Sequence, residues 1–179
     1  MILDIIPYTK IDGIRTFKDS YVMSLYDRVM GEGYSNVFKD GSIRDSEEFL
    51  VSVKQEGCIL YAIFYEDKLA AIAWVNRFEQ RIARYHFCLF KVITTEQKIE
   101  MGTEVLKRLI NQKTAAGEFI FDAFVGYVPE DNKLALAYVL ACGAKVTATV
   151  PNLCWNHTMG KSEPGIIVYY TRGIKNEDL

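Results

Sequence analysis

Three apolar segments joined by very short turns constrain the fold more than any other feature of this chain. The segments cover residues 58–67, 68–78 and 81–93 and are rich in the β-branched and aromatic residues that favour strands. The turns Glu66–Lys68 and Glu79–Gln80 permit only hairpins, because parallel strands need a crossover of about a dozen residues or more. The pattern therefore predicts a three-stranded antiparallel meander.

Helical and strand patterns alternate on both sides of this meander. A strand at 3–8 and helices at 17–30 and 47–55 precede it; a helix at 95–112, a strand at 119–128, a helix at 131–143 and strands at 145–150 and 165–173 follow. This β-α-α-β-β-β-α-β-α-β-β order predicts an α/β (α+β) fold, with a mixed, mostly antiparallel sheet of six to seven strands flanked by about four helices. One crossover should place the fourth and fifth strands side by side. No linker or repeat interrupts the pattern, so we expect a single domain over residues 1–179.

The composition excludes several classes of function. The formal net charge is -2 and no block of lysines and arginines stands out, so nucleic acid is not an expected partner. No apolar run approaches the roughly 20 residues of a membrane helix, and the amino end lacks the pattern of a signal peptide. We therefore expect a cytoplasmic protein with no membrane partner. The scattered cysteines and the two histidines lack the spacing of a zinc site, so we expect reduced thiols and no metal.

The segment Lys91–Gly102, KVITTEQKIEMG, joins the fourth strand to an amphipathic helix and permits two interpretations. In the first, the helix begins at Thr95, and Thr94 forms a capping box with Gln97. In the second, the turn holds a phosphate, since a helix that starts at the carboxyl end of a strand offers unpaired amides to anions. We favour the second because of its place in the element order. Glu100 opposes it, because a carboxylate about 4 Å from a phosphate is repelled by up to roughly 4 kcal/mol.

Two spaced motifs resemble those of the Gcn5-related N-acetyltransferases, the GNAT superfamily. Gln97 and Gly102 fit the superfamily's (Gln/Arg)-x-x-Gly-x-(Gly/Ala) turn, in which Glu100 replaces the first glycine. Asn132 begins an Asn-x-x-Ala motif, and Gly143 follows it at the family spacing. Together with the order of elements, these motifs make the chain similar to this superfamily over nearly its whole length.

The resemblance implies acetyl-CoA (acyl-CoA) as the cosubstrate, held between the fourth and fifth strands. It assigns the pyrophosphate to bare amides of the turn near Met101 and Gly102, the pantetheine arm to the backbone of the fourth strand, and a further hydrogen bond to Asn132. The residues that it implicates in cofactor binding are Val92, Ile93, Gln97, Lys98, Ile99, Glu100, Met101, Gly102, Thr103 and Asn132. Asn132 has an equal alternative as an ordinary helix-start residue.

Two residues are candidates for the chemistry of acetyl transfer. Counting back from Gln97, the family position of the general base falls on His86, whose imidazole titrates near neutral pH. The alternative is a half-buried sheet histidine, hydrogen-bonded across the strand to a side chain of the preceding hairpin. The family tyrosine that protonates the departing thiolate falls on Val139, and the adjacent Tyr138 lies about 100° away around the helix. The alternative for Tyr138 is a core or groove aromatic.

The family forms its acceptor pocket from the loop between the first two helices and from the last hairpin. Here these segments supply Tyr34, Phe38, Arg44 and Trp155 as candidate acceptor-binding residues, together with His157. Loop aromatics also serve as packing lids, which is their alternative role. The expected acceptor is a small-molecule or peptide amine, and a homodimer is the expected assembly.

The resemblance therefore predicts an acetyl-CoA-dependent N-acetyltransferase in which an amine attacks the thioester directly within a ternary complex. The alternative is a GNAT-like binding or structural module without turnover, of the divergent kind that phage genomes carry. Glu100 in place of glycine and Val139 in place of tyrosine favour that alternative.

Overall fold

A mixed β-sheet forms the centre of the structure. The computed structural model describes residues 2–172. Its strands are β1 (Leu3–Pro7), β2 (Lys10–Ile11), β3 (Ile14–Arg15), β4 (Ile59–Tyr65), β5 (Lys68–Glu79), β6 (Ile82–Leu89), β7 (Ala123–Pro129), β8 (Lys145–Asn156) and β9 (Lys161–Thr171). Its helices are α1 (Asp19–Gly31), α2 (Ser46–Val53), α3 (Thr95–Ile110) and α4 (Lys133–Ala141), with a 3-10 turn at Ser35–Phe38.

Within the described residues, seven strands form one sheet in the order β1-β4-β5-β6-β7-β9-β8. Neighbouring strands are antiparallel except β6 and β7, which are parallel. The predicted fold class and element order are thus confirmed, and the small β2–β3 hairpin is an addition to them. No helix in this part of the chain has the length and apolar character that a membrane span requires.

The meander β4-β5-β6 has the predicted tight turns. Glu66 and Asp67 adopt φ angles of 49° and 63°, the left-handed conformation that a two-residue hairpin turn needs. The predicted end of β6 at residue 93 is wrong, because the strand ends at Leu89. The amide of Lys91 donates to the carboxylate of Glu32 at 2.7 Å instead of to a strand, which turns the chain out of the sheet.

Different helices cover the two faces of the sheet. Helices α1 and α2 cover one face with a cluster that includes Val22, Leu25, Phe49, Trp74 and Phe90. Helix α3 covers the other face, where its apolar stripe packs on residues such as Tyr61, Ile63, Ala73, Phe121 and Phe124. Because side chains alternate along a strand, β6 supplies Tyr85 and Phe87 to the α3 side and His86 and Cys88 to the α1 side. All four cysteines are free thiols.

The parallel pair β6 and β7 is joined at one end only. Ladder pairs link Ile82 to Ala123, Ala83 to Phe124 and Arg84 to Val125, and then stop although both strands continue. Strand β7 begins at Ala123 rather than at the predicted residue 119, because the amide of Ile120 donates to Gln112 and that of Asp122 to Arg81. The sheet therefore opens between the carboxyl halves of β6 and β7, beside the starts of α3 and α4.

Candidate active site

Aromatic side chains fill the opening between β6 and β7. Tyr85 and Phe87 of β6 meet Tyr138 of α4 there, and the ring centroids of Phe87 and Tyr138 are 5.0 Å apart. A small cavity of about 10 Å³ remains beside these rings on the α3 side of β6, and Gly102 also lines it. The backbone edges are unpaired, but in this conformation side chains occupy the space.

Tyr138 is the α4 residue that reaches this opening. Its hydroxyl donates to the backbone oxygen of Lys98 at 3.3 Å, and burial raises the pKa of this tyrosine. Val139 instead packs on the other side of α4, against Val128, Ile166 and Val168. The prediction that Tyr138 is a groove aromatic is confirmed, and its role as the acid for the thiolate stays a prediction.

Gly102 permits the close approach of α3 and α4. A Cβ atom on Gly102 would lie 2.0 Å from the Tyr138 hydroxyl and 2.7 Å from the Cys142 sulfur. A side chain at this position is therefore excluded unless Tyr138 moves. The structure thus gives the glycine of the turn motif a helix-packing role.

The start of α3 follows the capping-box interpretation. The Thr94 hydroxyl accepts from the amide of Gln97 at 3.3 Å, the Gln97 side chain accepts from the amide of Thr94 at 2.9 Å, and the helix begins at Thr95. The bare amides expected near Met101 and Gly102 are therefore a wrong prediction, because amides in the second turn of a helix are already bonded to preceding carbonyls. Thr103 bonds its own helix, donating to Ile99 O at 2.8 Å.

Two glutamates near the start of α3 have different surroundings. The backbone N–H of Glu96 and the Thr94 hydroxyl lower the pKa of the Glu96 carboxyl, so a carboxylate already occupies the positive end of this helix. The Glu100 carboxylate turns the other way and accepts from the Tyr65 hydroxyl on β4 at 3.2 Å. The repulsion predicted for Glu100 therefore does not apply in this geometry.

The backbone predicted to contact the pantetheine arm is displaced from β6. Val92 and Ile93 lie in the turn after the strand, where Ile93 belongs to the core and Val92 is 40% exposed. The unpaired edge that faces the opening belongs to Tyr85–Leu89 instead. This shift follows from the early end of β6 described above.

His86 lies on the opposite side of β6, near the junction with α1 and α2. Its ring stacks on Trp74 with centroids 4.9 Å apart and planes 4° from parallel. Its Nε2 atom is 3.1 Å from Oδ1 of Asn76 on β5. Burial, and next the charge of Arg84, lowers the pKa of His86 to about 4. The alternative of a half-buried histidine bonded across the hairpin is confirmed, and the catalytic role stays a prediction.

A larger cavity opens at the carboxyl end of β7. It has a volume of about 250 Å³ and is lined by Asn36 and Lys39 of the α1–α2 loop and by Asp131, Asn132 and neighbouring residues at the start of α4. Asn132 caps α4, since its Oδ1 accepts from the amide of Ala135 at 3.1 Å. The helix-start interpretation of Asn132 is therefore confirmed, and its contact with a cofactor stays a prediction.

Lys39 joins the walls of this cavity. Its Nζ is 2.8 Å from Glu163 on β9 and 3.1 Å from Asp131, and these carboxylates raise the pKa of Lys39. The backbone oxygen of Lys39 accepts from the amide of His157 at 2.9 Å. The α1–α2 loop is thereby fixed to the β8–β9 hairpin. No local pattern in the sequence predicts this ion pair.

The predicted acceptor-binding residues do not form one group. Phe38 is buried and stacks on Tyr26 and Trp74, so its prediction as a lining residue is corrected to a core role. Arg44 forms an ion pair with Glu48 at the start of α2, so its guanidinium is already bonded within the chain. Tyr34, Trp155 and His157 are the remaining candidates.

Tyr34 and Trp155 lie on different elements. Tyr34 is half-buried beneath the Lys91 ammonium, which is 5.6 Å from the ring centroid, and burial raises the pKa of the tyrosine. Trp155 is 47% exposed on β8, opposite Ser162 of β9. Both stay predictions as acceptor contacts.

Comparison with known proteins identifies the architecture. No family model matches the sequence, and no curated protein sequence matches it. Solved structures do match. An acetyltransferase from Salmonella typhimurium that modifies the N-terminal serine of a 50S ribosomal subunit protein superposes with a TM-score of 0.71, 13% identity and coverage of 95% of both chains.

Two further structures agree. The microcin C7 self-immunity acetyltransferase MccE, in complex with acetyl-CoA and AMP, has a TM-score of 0.65 at 16% identity, covering 87% of this chain and 89% of its own. An acetyltransferase of the GNAT family from Streptococcus pneumoniae has a TM-score of 0.62 at 15% identity, covering 96% of this chain and all (100%) of its own. The chain therefore has the fold of the GNAT acetyltransferases.

Proposed function

We propose that this protein is an acetyl-CoA-dependent N-acetyltransferase. The observation that carries the proposal is the opening between β6 and β7, where a parallel pair loses its ladder after three residue pairs beside the starts of two helices. The unpaired backbone from Tyr85 to Leu89 offers amide and carbonyl groups that suit the amides of a pantetheine arm. MccE, which shares the fold, was solved with acetyl-CoA.

The residues around the opening divide the chemistry between two sides of β6. The thioester of acetyl-CoA supplies the activated acetyl group. His86 is the proposed base, because its neutral imidazole takes a proton from the attacking amine as the nitrogen–carbon bond forms. Tyr138 is the proposed acid for the departing thiolate. For the arm to enter, the Tyr138 side chain has to leave the position it occupies above Gly102.

The acceptor is a primary amine on a small molecule or a peptide. The cavity at the carboxyl end of β7 is the proposed acceptor entrance, because the α1–α2 loop and the start of α4 meet there. Its wall includes Asp131 beside the Lys39–Glu163 pair, and carboxylates suit a substrate that arrives as an ammonium ion. The acetyltransferase from Salmonella typhimurium is described as acting on an N-terminal serine, which is an amine of this class.

The test has two stages. Acetyl-CoA at about 100 times its dissociation constant should stabilise the fold by about 2.7 kcal/mol, seen as a rise in melting temperature. ADP, which lacks the pantetheine arm, is the matched control and should produce a smaller rise. Release of free thiol in the presence of an amine panel then measures turnover.

Each outcome of this test has a distinct meaning. No rise in melting temperature at millimolar acetyl-CoA would refute the transferase proposal. A rise without thiol release for any amine would support the alternative of a binding module without turnover. Thiol release that depends on one amine class would identify the acceptor.

Assembly and location complete the proposal. We propose a homodimer formed by a single-domain chain, because the outer side of α4 exposes Leu134 at 87% and Leu140 at 40%, along with Ala137. An apolar helix face open to water favours association. Light scattering at micromolar protein checks this, and Leu134→Glu should yield a monomer if α4 forms the contact. A cytoplasmic location is proposed because acetyl-CoA is the cosubstrate.

A further inference from the structure

The hydrogen-bond partner of His86 lies at an irregular point of β5. Asn76 is opposite Arg84 in the β5–β6 ladder, and the register shifts immediately after it. Arg77, the next residue, has a φ of 49°, which is uncommon for a residue with a side chain and marks a bulge. A bulge changes the direction of side chains next to it, and here the Asn76 amide reaches the imidazole two positions along β6 from its own ladder partner.

The geometry determines which ring nitrogen carries the proton. Nε2 of His86 is 3.1 Å from Oδ1 of Asn76, and a carbonyl oxygen can only accept a hydrogen bond. With Oδ1 of Asn76 as the acceptor, Nε2 is the nitrogen that donates and carries the proton. A neutral imidazole holds one proton, so Nδ1 carries the lone pair.

Nδ1 is left free to react. Among the described residues it has no hydrogen-bond partner. The stack on Trp74, with planes 4° apart, holds the plane of the ring.

Burial is the main reason why the ring of His86 stays neutral, because it lowers the pKa of the imidazole. Arg84 on β6 lowers this pKa further, Asp40 of the α1–α2 loop raises it, and Arg77 on β5 lowers it. The ring thus holds a fixed tautomer in its uncharged form.

We propose that Asn76 is a positioning residue that fixes His86 in the Nε2–H tautomer and leaves the Nδ1 lone pair available to accept a proton. Its use in catalysis rests on the proposed function, in which Nδ1 takes the proton from the acceptor amine. The tautomer itself does not depend on that function, so the two are tested separately.

Nitrogen-15 NMR of the full chain tests the tautomer. The chain has two histidines, and the signals lost in His86→Gln identify those of His86. Between pH 5 and pH 8 the wild type should show the Nε2–H tautomer alone. Asn76→Leu should give a mixture of tautomers, whereas Asn76→Asp should keep the Nε2–H tautomer and raise the pKa of His86, because a carboxylate favours the imidazolium. The Nδ1–H tautomer in the wild type would overturn the proposal.

Kinetics with acetyl-CoA and an active amine test the use of this tautomer. Asn76→Leu should lower kcat by about tenfold with little change in KM, since it removes part of a general-base contribution. Asn76→Asp should restore most of kcat and move the acid limb of the pH profile upward. Asn111→Asp, the same exchange at the exposed C-cap of α3, is the control and should leave both kcat and the profile unchanged.

The two readouts separate the possible failures. If the wild type shows the Nε2–H tautomer but no amine is acetylated, the proposed function fails and the positioning of His86 stands. If acetylation occurs and Asn76→Leu leaves kcat unchanged, the positioning role is refuted while the function stands.

Discussion

The two sides of strand β6 differ in the way their side chains fill space. On the α3 side, Tyr85 and Phe87 pack with Tyr138 and leave a cavity of about 10 Å³. On the α1 side, His86 is held by Trp74 and by Asn76, and its Nδ1 has no hydrogen-bond partner among the described residues. One side is filled by aromatic packing, and the other holds an imidazole nitrogen that has no hydrogen-bond partner among the described residues.

This difference indicates which part of the site is ready and which part has to move. In the proposed mechanism the imidazole already has its tautomer and its neutral state, so the proposed acceptor side needs no rearrangement. The cofactor side needs Tyr138 to move away from Gly102 before a pantetheine arm fits. Binding of acetyl-CoA is therefore expected to include the cost of that movement, whereas binding of the amine is not.

Among the changes that test this difference between the two sides of β6, removal of the His86 imidazole should have the largest effect. His86→Gln should lower turnover by about 10²- to 10⁴-fold, the usual contribution of a general base. The rise in melting temperature with acetyl-CoA should persist, because His86 is on the side of β6 away from the cofactor. Thiol release and thermal denaturation are the two measurements. Lys107→Gln, on the exposed side of α3, is the control variant and should keep wild-type turnover. Unchanged turnover in His86→Gln would refute the role of His86 as the base.

The neutral state of His86 predicts an acid-dependent loss of stability. In the native state its pKa is about 4, against an ordinary value of 6.5. Between these values the unfolded chain binds a proton that the native chain does not, so the free energy of unfolding falls as the pH falls from 6.5 to 4. The loss from this group should reach about 3 kcal/mol. Above pH 6.5 both states are neutral and the contribution is constant.

Urea denaturation at pH 7 and pH 5 measures this loss. His86→Gln should retain only the part of the pH dependence that comes from the other titrating groups. Equal slopes in the variant and the wild type would contradict the buried neutral histidine.

A side chain at Gly102, packed against Tyr138, should lower the free energy of unfolding by about 1 to 2 kcal/mol. Gly102→Ala adds a methyl group 2.0 Å from the Tyr138 hydroxyl, and such overpacking usually costs about 1 to 3 kcal/mol, offset in part by the better helix propensity of alanine. Urea denaturation measures it. Gly31→Ala at the end of α1, where the added atom meets nothing within 4 Å, is the control and should be neutral or stabilising.

A double variant sharpens the same test. Tyr138→Phe removes the hydroxyl that the added methyl group would meet, so Gly102→Ala should cost less in its presence. Strictly additive effects would show that the hydroxyl is not the group in conflict.

A substitution at the start of α3 should have the smallest effect on the free energy of unfolding. Thr94→Ala removes one hydrogen bond of the capping box and should cost about 1 kcal/mol, as should Asp45→Ala, the matched change at the start of α2. The melting-temperature rise with acetyl-CoA should be no smaller in Thr94→Ala than in Asp45→Ala, because the Thr94 hydroxyl occupies the Gln97 amide. A smaller rise would mean that Thr94 itself contacts the cofactor.

The sequence predicted those elements whose causes are local. The hairpin turn at Glu66–Asp67 depends on residues a few positions apart. The capping box of Thr94 with Gln97 is equally local, but it was the alternative to the favoured phosphate-binding turn. The cross-strand partner of His86 was predicted as a class, a side chain of the preceding hairpin. Its identity as Asn76 was not. In the ladder Trp74 is opposite His86 and Asn76 is opposite Arg84, so Asn76 is a diagonal neighbour, and only side-chain packing decides that it bonds the imidazole.

The errors have long-range causes. Strand β6 ends early because Glu32, 59 positions away, binds the amide of Lys91. Phe38 became a core residue because the 3-10 turn places it against Trp74. Lys39 was overlooked because its partner Asp131 is 92 positions away along the chain.

The sequence by itself determined the order of strands and helices, their approximate limits and the sheet, since periodicity, turns and caps act over a few neighbouring residues. The tertiary structure alone decided that Tyr138 packs on Phe87 and above Gly102, that Gly102 serves helix packing, and that Nδ1 of His86 has no hydrogen-bond partner within the part of the chain that the structure describes. These features depend on atoms brought together from distant parts of the chain, and the energy of such contacts is set by packing geometry that no local pattern encodes.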